Sequence, residues 1–279
     1  MKDGRSAKVA IRRINECVQS KRPFFLGIGF SRPHDPFFAP KRFFDLYPLE
    51  KLRLPKAPEG AFEAPMEAYN ANFKKAFDSM DERDGLEFMR AYYAGISYMD
   101  EQLGRVLDHA EGLGLLKNTV IVFLGDHGYQ VGEKDYFNKT LLFERSCRAP
   151  LILAAPNLQA GGSIDRVVQF IDIFPTVTEL CHLPTPSNVD GKSLLPLVRS
   201  KTTNWEDAAY SYVNQDRSVR TDQFRYIRWR GKLEALYDHH KDPGEHFNLV
   251  DDPEYKKVLE RLRHKVDVMP EFRKPSKRK

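Results

Sequence analysis

Asp126, His127 and Gly128 stand directly after an unbroken apolar run, Thr119-Val120-Ile121-Val122-Phe123-Leu124. In α/β sheets ligands collect beyond the carboxyl ends of strands, so this is a place for chemistry. A carboxylate oxygen and an imidazole nitrogen side by side can hold a divalent cation or a polar substrate. Gly128 lets the chain turn sharply away from them. Read alone, Asp126 could equally cap the next turn and His127 could merely pack. His239-His240 and His246 lie in a turn-rich stretch and read as surface residues. Asp251-Asp252 precede Pro253 and a helical pattern, so capping is their expected role.

The elements that must position such a site follow from periodicity. Val9 to Cys17 reads as the end of an amphipathic helix through Val9, Ile11 and Ile14. Pro23 to Phe30 is a continuous apolar run of the kind buried on both faces of a parallel sheet. Ser31 to Ala64 is a long, Pro-rich and aromatic-rich excursion; its Phe and Tyr content argues for an ordered wall. Glu82 to Leu116 predicts a long helix through Met89, Tyr93, Ile96, Leu103, Val106, Leu107 and Ala110, stopped by Gly112 and Gly114. Thr119–Leu124 and Leu151–Ala155 predict further buried strands, and Asp172 with Pro175 is expected to cap a helix running to Cys181. Strands alternating with helices give an α/β class. After Leu197 the pattern becomes a meander: Tyr210–Val213, Ser218–Thr221, Phe224–Trp229 and Ala235–Tyr237, then a helix over Pro253–Val266. The expected division is 1–200 and 201–279.

Composition narrows the classes. The 279 residues are 41% hydrophobic and 12% aromatic, ample for a packed core. No apolar run approaches the roughly 18 residues of a membrane span. Met1-Lys2-Asp3-Gly4-Arg5 leads into a charged stretch, so no signal peptide is visible. A net charge of +5, much of it in Arg273–Lys279, suits anionic partners, but no nucleic-acid module is present. Cys17, Cys147 and Cys181 lie far apart and form no metal-type spacing.

Four segments together carry a resemblance. Gly125-Asp126-His127-Gly128 runs through Gly132-Glu133, Asn138-Lys139 and Thr140-Leu141-Leu142-Phe143-Glu144 to Arg148-Ala149-Pro150-Leu151-Ile152. Pro23-Phe24-Phe25-Leu26 precedes Arg32-Pro33-His34-Asp35-Pro36-Phe37. Asp190-Gly191-Lys192-Ser193-Leu194-Leu195-Pro196-Leu197 forms a third piece. The fourth runs from Val219-Arg220-Thr221 through Phe224–Arg228 and Leu236-Tyr237-Asp238 to Asp242-Pro243-Gly244-Glu245 and Asn248-Leu249. In motif and order these resemble the sulfatase family of the alkaline-phosphatase-like superfamily over nearly the whole chain. Arg32–Phe37 running on to Pro40-Lys41, Phe44 and Leu46-Tyr47-Pro48 looks closest to iduronate-2-sulfatase-like members.

The resemblance implies an α/β alkaline-phosphatase-like core, here partial, with a small C-terminal antiparallel sheet plus helix. It implies that Asp126 and His127 are metal ligands, His127 as the neutral imidazole, with Ca²⁺ the usual ion. It implies that Lys139 meets a sulfate oxygen as a point charge and that His34 donates a proton to the departing alkoxide. Lys134-Asp135 stands where family members often carry His-Gly, a departure that bears on fine substrate contacts. The implied partner is a sulfated carbohydrate, such as a 2-sulfated uronic acid in a polysaccharide. The implied location is periplasmic, lysosomal or secreted.

The family's nucleophile is a formylglycine made from the cysteine of a C-x-P-S-R-type motif. Here Cys17 is followed by Val-Gln-Ser-Lys, Cys147 by Arg-Ala-Pro-Leu and Cys181 by His-Leu-Pro-Thr, and no serine version exists either. The expectation is therefore a C-terminal portion of a sulfatase, without nucleophile, two metal ligands or the first parallel strand, and inactive alone. An N-terminal half of the same protein is then an expected partner. Two rivals stand beside this: a phosphohydrolase or phosphonate hydrolase of the same superfamily, and a non-catalytic remnant that binds anionic glycans.

Overall fold

A computed structural model describes residues 1–156, 158–159, 161–200, 204–205, 208–230 and 233–270. The basic tail Arg273–Lys279 lies outside the described residues. In chain order the elements are α1 (Lys2–Ser20), α2 (Lys41–Phe44), α3 (Ala71–Asp78), α4 (Glu82–Gly112), β1 (Ile121–Leu124), α5 (Glu144–Cys147) and β2 (Leu151–Ala154). They continue with α6 (Ile173–Leu180), α7 (Leu195–Arg199), β3 (Ala209–Val213), β4 (Asp216–Arg220), β5 (Phe224–Arg228), β6 (Glu234–Asp238) and α8 (Lys256–Asp267). The chain forms two compact units: Met1–Pro55 with Ser79–Thr119, and Lys56–Asp78 with Val120–Lys279.

The first unit is built on α1 against α4. Ala7, Ala10 and Ile14 recur at helical spacing and bury against Val106 and Ala110. The buried face thus runs through the alanines, and Val9, expected on it, is exposed. Asp81 starts α4 with a reciprocal capping box: its carboxylate accepts from Asp84 N (2.8 Å), and Asp84 accepts from Asp81 N (3.2 Å). Gly114, at φ +71°, ends the helical run as the sequence predicts. The aromatic excursion is an ordered wall up to Pro55: Phe37 meets Phe88 edge-on at 4.7 Å, and Phe43 and Tyr47 pack on Tyr98 and Tyr93 at 5.5 Å.

Pro23–Phe30 departs from expectation. Leu26 and Phe30 rest on the α1–α4 core, but the run is no strand, and Phe25 is 91% exposed. No described residue pairs with it in a ladder, and beyond Leu26 and Phe30 its large side chains stay exposed.

In the second unit, among the described residues, β1 pairs only with β2, and the pair is antiparallel, Ile121 opposite Ala154 and Leu124 opposite Leu151. The sequence predicts fully buried parallel strands; the observed strands are half-buried, with Leu124 and Ile152 exposed. The reason is local. The chain returns through the turn of α5, Gly125 N donates to Pro150 O (3.1 Å), and β2 runs straight back beside β1.

The meander is as the alternation predicts, β3-β4-β5-β6 in sequence order and all antiparallel. Each face covers something different. Val219, Phe224, Tyr226 and Leu236 bury against Leu259, Leu262 and Val266 of α8. Ile227, Trp229, Ala235 and Tyr237 bury against Tyr136 and Leu141-Leu142-Phe143. The second face therefore packs on the chain that follows the Asp126-His127-Gly128 turn.

Two capping expectations are resolved. Asp252 caps the short turn at Pro253–Tyr255, accepting from Glu254 N at 2.9 Å. Asp172 does not cap α6; its carboxylate accepts from Gln169 N (2.9 Å) and Lys192 N (3.0 Å) instead. That brings the Asp190–Leu197 element onto α6, where Thr176 Oγ1 accepts from Leu194 N.

Candidate metal and sulfate site

Asp126 and His127 emerge where β1 ends, and the turn that presents them is set by Gly128. Its N–H donates to Ser146 O (2.9 Å), and a Cβ built there would stand 2.0 Å from Arg145 O and 2.4 Å from Arg148 O. Only glycine tolerates that approach to two backbone carbonyls. The Asp126 carboxylate is 90% exposed, with Oδ1 3.8 Å from His127 Nε2. His127 Nδ1 lies 2.7 Å from Gly128 O. A proton on Nδ1 satisfies that contact and leaves the Nε2 lone pair free, the tautomer a metal ligand needs. One exposed carboxylate and one such imidazole are donors that fit part of a divalent-cation site.

From Gly128 the chain makes a tight excursion and returns to Lys139. Gln130 N donates to Asn138 O (2.9 Å) and Gly132 N to Tyr136 O (3.1 Å), so the loop closes on itself. Val131 N donates to Glu133 Oε2 (2.8 Å), and Tyr136 and Phe137 bury against Tyr69 and Phe77. Lys139 is half-buried, its N–H donating to Asn138 Oδ1 (2.8 Å), and its ammonium forms no ion pair among the described residues. The second unit thus carries Asp126, His127 and Lys139 on one connected stretch.

His34 belongs to the first unit. The buried carboxylate of Asp3 accepts from Ser31 N and Arg32 N (both 2.9 Å), and Gly95 lets α4 approach Pro33. His34 N donates to Ser31 O (2.9 Å), so the ring projects from an anchored turn. Its Nδ1 faces Asp35 O (2.7 Å) and the Asp35 carboxylate (2.9 Å), and the ring is half-exposed.

A further charged cluster escaped the sequence reading. Arg225 on β5 is buried, its Nε 2.7 Å from Glu245 Oε1 and its Nη2 2.5 Å from Glu144 Oε2. Arg220 Nε reaches Glu144 Oε2 at 3.1 Å, and His239 Nε2 lies 3.0 Å from Glu245 Oε1. Glu144 N donates to Glu245 Oε2 (2.8 Å), and the Lys134 ammonium donates to Glu245 O. Burial pushes the Glu144 carboxyl up, but Arg225 and Arg220 outweigh that and bring it down to about 2. His239 and His246 are not surface residues: the His239 side chain is 6% exposed, and His246 Nδ1 is buried. His240 is exposed as expected. One signal pointed here: Arg220 and Arg225 sit directly opposite across β4–β5, and two like charges so placed need carboxylates nearby.

Glu144, His239 and Glu245 bring three ligand-type atoms within 4.8 Å of one another. Arg225 and Arg220 already balance the two carboxylates, so this group is an ion-pair network, whereas the carboxylate of Asp126 is open. The formylglycine group finds no seat in this chain. Cys147 is the cysteine nearest the site in sequence, and burial pushes its thiol up, away from the thiolate form. No described helix is long and apolar enough to cross a membrane.

Comparison with known proteins gives the family and the fold. The sulfatase family profile matches residues 2–183, and the profile of the C-terminal part of N-sulphoglucosamine sulphohydrolase matches 132–271. A sulfatase of Formosa agariphila is 34% identical over 94% of this chain and 53% of its own length. An arylsulfatase of Clostridium perfringens is 32% identical, over 87% of this chain and 52% of its own length. The mouse iduronate 2-sulfatase is 31% identical over 66% of this chain and 40% of its own length. Among solved structures, a protein bound to its substrate D-glucosamine-2-N,6-O-disulfate superposes with TM-score 0.77 at 19% identity, covering 94% of this chain and 68% of that one. A phosphonate monoester hydrolase of Agrobacterium radiobacter superposes with TM-score 0.74 at 24% identity, covering 93% and 59%. These confirm the alkaline-phosphatase-like α/β fold. The relatives span several sulfatase types and do not single out the iduronate type. The chain spans about half the length of the curated relatives it matches. A profile match over residues 2–183, with a 34% identical relative along nearly the whole chain, makes this protein a member of the sulfatase family.

Proposed function

We propose that this chain carries the cation- and sulfate-handling part of a sulfuric ester hydrolase acting on a sulfated sugar. The observation that carries the reading is the Asp126–His127 pair. Both side chains stand at the end of β1 on a turn only glycine permits, with the carboxylate exposed and Nε2 free to coordinate. Asp126 and His127 would hold the divalent cation, Ca²⁺ by the resemblance. When bound, that ion supplies positive charge against which sulfate oxygens settle. Lys139 adds an ammonium with no competing carboxylate partner among the described residues, suited to charge that develops on a transferring sulfuryl group. His34 has Nδ1 engaged by Asp35, so Nε2 is the nitrogen that would hold the proton given to the leaving alkoxide.

No attacking step is assigned to a residue of this chain, because none of its three cysteines sits in a formylglycine motif. We propose accordingly that the 279 residues alone do not turn over sulfate esters, and that a partner with the missing nucleophile would be needed. A 2-sulfated uronic acid is the proposed unit; the similarity to an iduronate 2-sulfatase and the loop from Arg32 to Pro48 support it. The division into 1–200 and 201–279, and a periplasmic, lysosomal or secreted location, belong to the same reading. A phosphonate monoesterase is the second reading, favoured by the shared fold of the Agrobacterium enzyme.

The test is a Ca²⁺ titration of the purified chain by calorimetry, with sulfated aryl ester and phenylphosphonate ester assays alongside. We expect cation binding that Asp126→Asn and His127→Ala each weaken, and no turnover of either ester. Binding indifferent to both substitutions would overturn the metal assignment. Turnover of the sulfate ester by the chain alone would overturn the proposed inactivity, and selective phosphonate turnover would favour the second reading. Binding of sulfated glycan with no cation dependence would point to a non-catalytic remnant.

A further inference from the structure

The stretch that follows His127 contains two lysines, and the structure treats them in opposite ways. Lys139 keeps its ammonium unpaired among the described residues. Lys134 turns inward: its ammonium stands 5.1 Å over the Phe143 ring and 5.9 Å over the Tyr237 ring, and donates to the carbonyl of Glu245. Its own carbonyl accepts from Tyr69 Oη at 3.4 Å. Burial draws its pKa down, and the carboxylates of Glu245 and Asp242 oppose that. A lysine enclosed by two aromatic faces and tied to a carbonyl has no reach left for a substrate.

The loop around it needs such an anchor. Gly132 (φ 112°), Lys134 (φ 58°), Asp135 (φ 49°) and Thr140 (φ 71°) all adopt left-handed backbone. Non-glycine residues persist there only where the surroundings hold them. Glu245 is the fixed end of the tether. Its carboxylate is held by Arg225, His239 and the N–H of Glu144. Pull on Lys134 is thereby resisted by β5 and by the start of α5, both in the same unit.

We propose that Lys134 is a positioning residue for Lys139: it pins the strained Gly132–Thr140 loop to Glu245 and so fixes where Lys139 presents its ammonium. The position that departs from the family's common His-Gly pair thus serves the loop and not the substrate. The proposal rests on the reading of Lys139 as a sulfate contact, and the experiment separates the two.

The experiment uses the full chain as wild type, Lys134→Met, Lys134→Arg and Lys139→Met. Hydrogen exchange is read at Gln130, Gly132, Asp135 and Tyr136, and the Lys139 side-chain NMR shift is followed during titration with inorganic sulfate. Met keeps an apolar stem in the cage but loses the charged hydrogen bond, so these four amides should exchange roughly tenfold or more faster. The β5 amides should be unchanged, and the sulfate response of Lys139 should weaken. Arg restores a cation and should recover part of both effects. Unchanged loop exchange in Lys134→Met, or uniform acceleration including β5, overturns the positioning role while leaving the Lys139 reading intact. A wild-type Lys139 that ignores sulfate overturns both the reading and the role built on it.

Discussion

Arg225 and Glu245 form an ion pair in the interior, Nε to Oε1 2.7 Å, with both side chains 2% exposed. Their neighbours explain why such a pair survives burial. Arg225 also reaches Glu144 Oε2, Leu142 O (3.1 Å) and Ser218 Oγ (2.9 Å), so both Nη groups are hydrogen-bonded, while Nε meets Glu245 by charge alone without hydrogen-bond geometry. Removing one partner strands the other charge in the interior. We expect Arg225→Met or Glu245→Gln to cost about 3–5 kcal/mol in a urea melt of the second unit's signal. A loss below about 1 kcal/mol would show that water reaches the pair and screens it, as at an exposed bridge.

The same network sets an acid limb. The Glu144 carboxyl is brought from its ordinary 4.5 to about 2 because Arg225 and Arg220 outweigh the burial that would raise it. A depressed carboxyl stabilises the fold above the unfolded value and ceases to do so as pH falls through the folded one. The contribution should therefore be complete above about pH 4.5 and disappear toward pH 2, amounting to about 3 kcal/mol. Melting temperatures across that window should show a slope that Glu144→Gln flattens, at the expense of stability at neutral pH. An unaltered slope in the variant would assign the acid limb to other carboxylates.

Gly128 is a place where one methyl group is too many. An added Cβ would lie 2.0 Å and 2.4 Å from two backbone carbonyl oxygens, which have no rotamer by which to move aside. Gly128→Ala must then break the Gly128–Ser146 hydrogen bond and push α5 off the turn. We expect a loss of roughly 3 kcal/mol or more, at the upper end of single-residue effects, together with weaker divalent-cation binding at Asp126 and His127. A wild-type melting curve would mean the turn relaxes without cost.

How much of this was legible depends on the range of the interactions. The roles of Asp126, His127 and Lys139 rest on the resemblance and not on spacing. The Asp126-His127-Gly128 turn after β1 could be read from the chain because a strand end and a turn are local events. The meander was legible for the same reason, since alternation in Phe224–Arg228 assigns each side chain a face. Pro23–Phe30 misled because an apolar run is a buried strand only if layers cover both its faces, and here Leu26 and Phe30 rest on α1 and α4 while Phe24, Phe25 and Ile28 stay exposed. The Arg225 network was hidden because its members come from four separate stretches of the chain. Nothing in Glu144 or Glu245 alone says that one arginine joins them.

The turn that presents His34 depends on a carboxylate far from it in sequence. Asp3, in the first turn of α1, is 1% exposed and spends both oxygens on the N–H groups of Ser31 and Arg32. Two part-buried backbone donors would lose their acceptor if that carboxylate were removed. Each such loss costs about 1–3 kcal/mol. Asp3→Ala should therefore destabilise the first unit by a few kcal/mol and free the Ser31–His34 turn, while Asp3→Asn, with one acceptor oxygen left, should fall between. Hydrogen exchange at Ser31 and Arg32 is the direct measurement: both amides should be protected in the wild type and lose protection in Asp3→Ala. Continued protection in that variant would show that Pro33 against Gly95 holds the turn without the carboxylate.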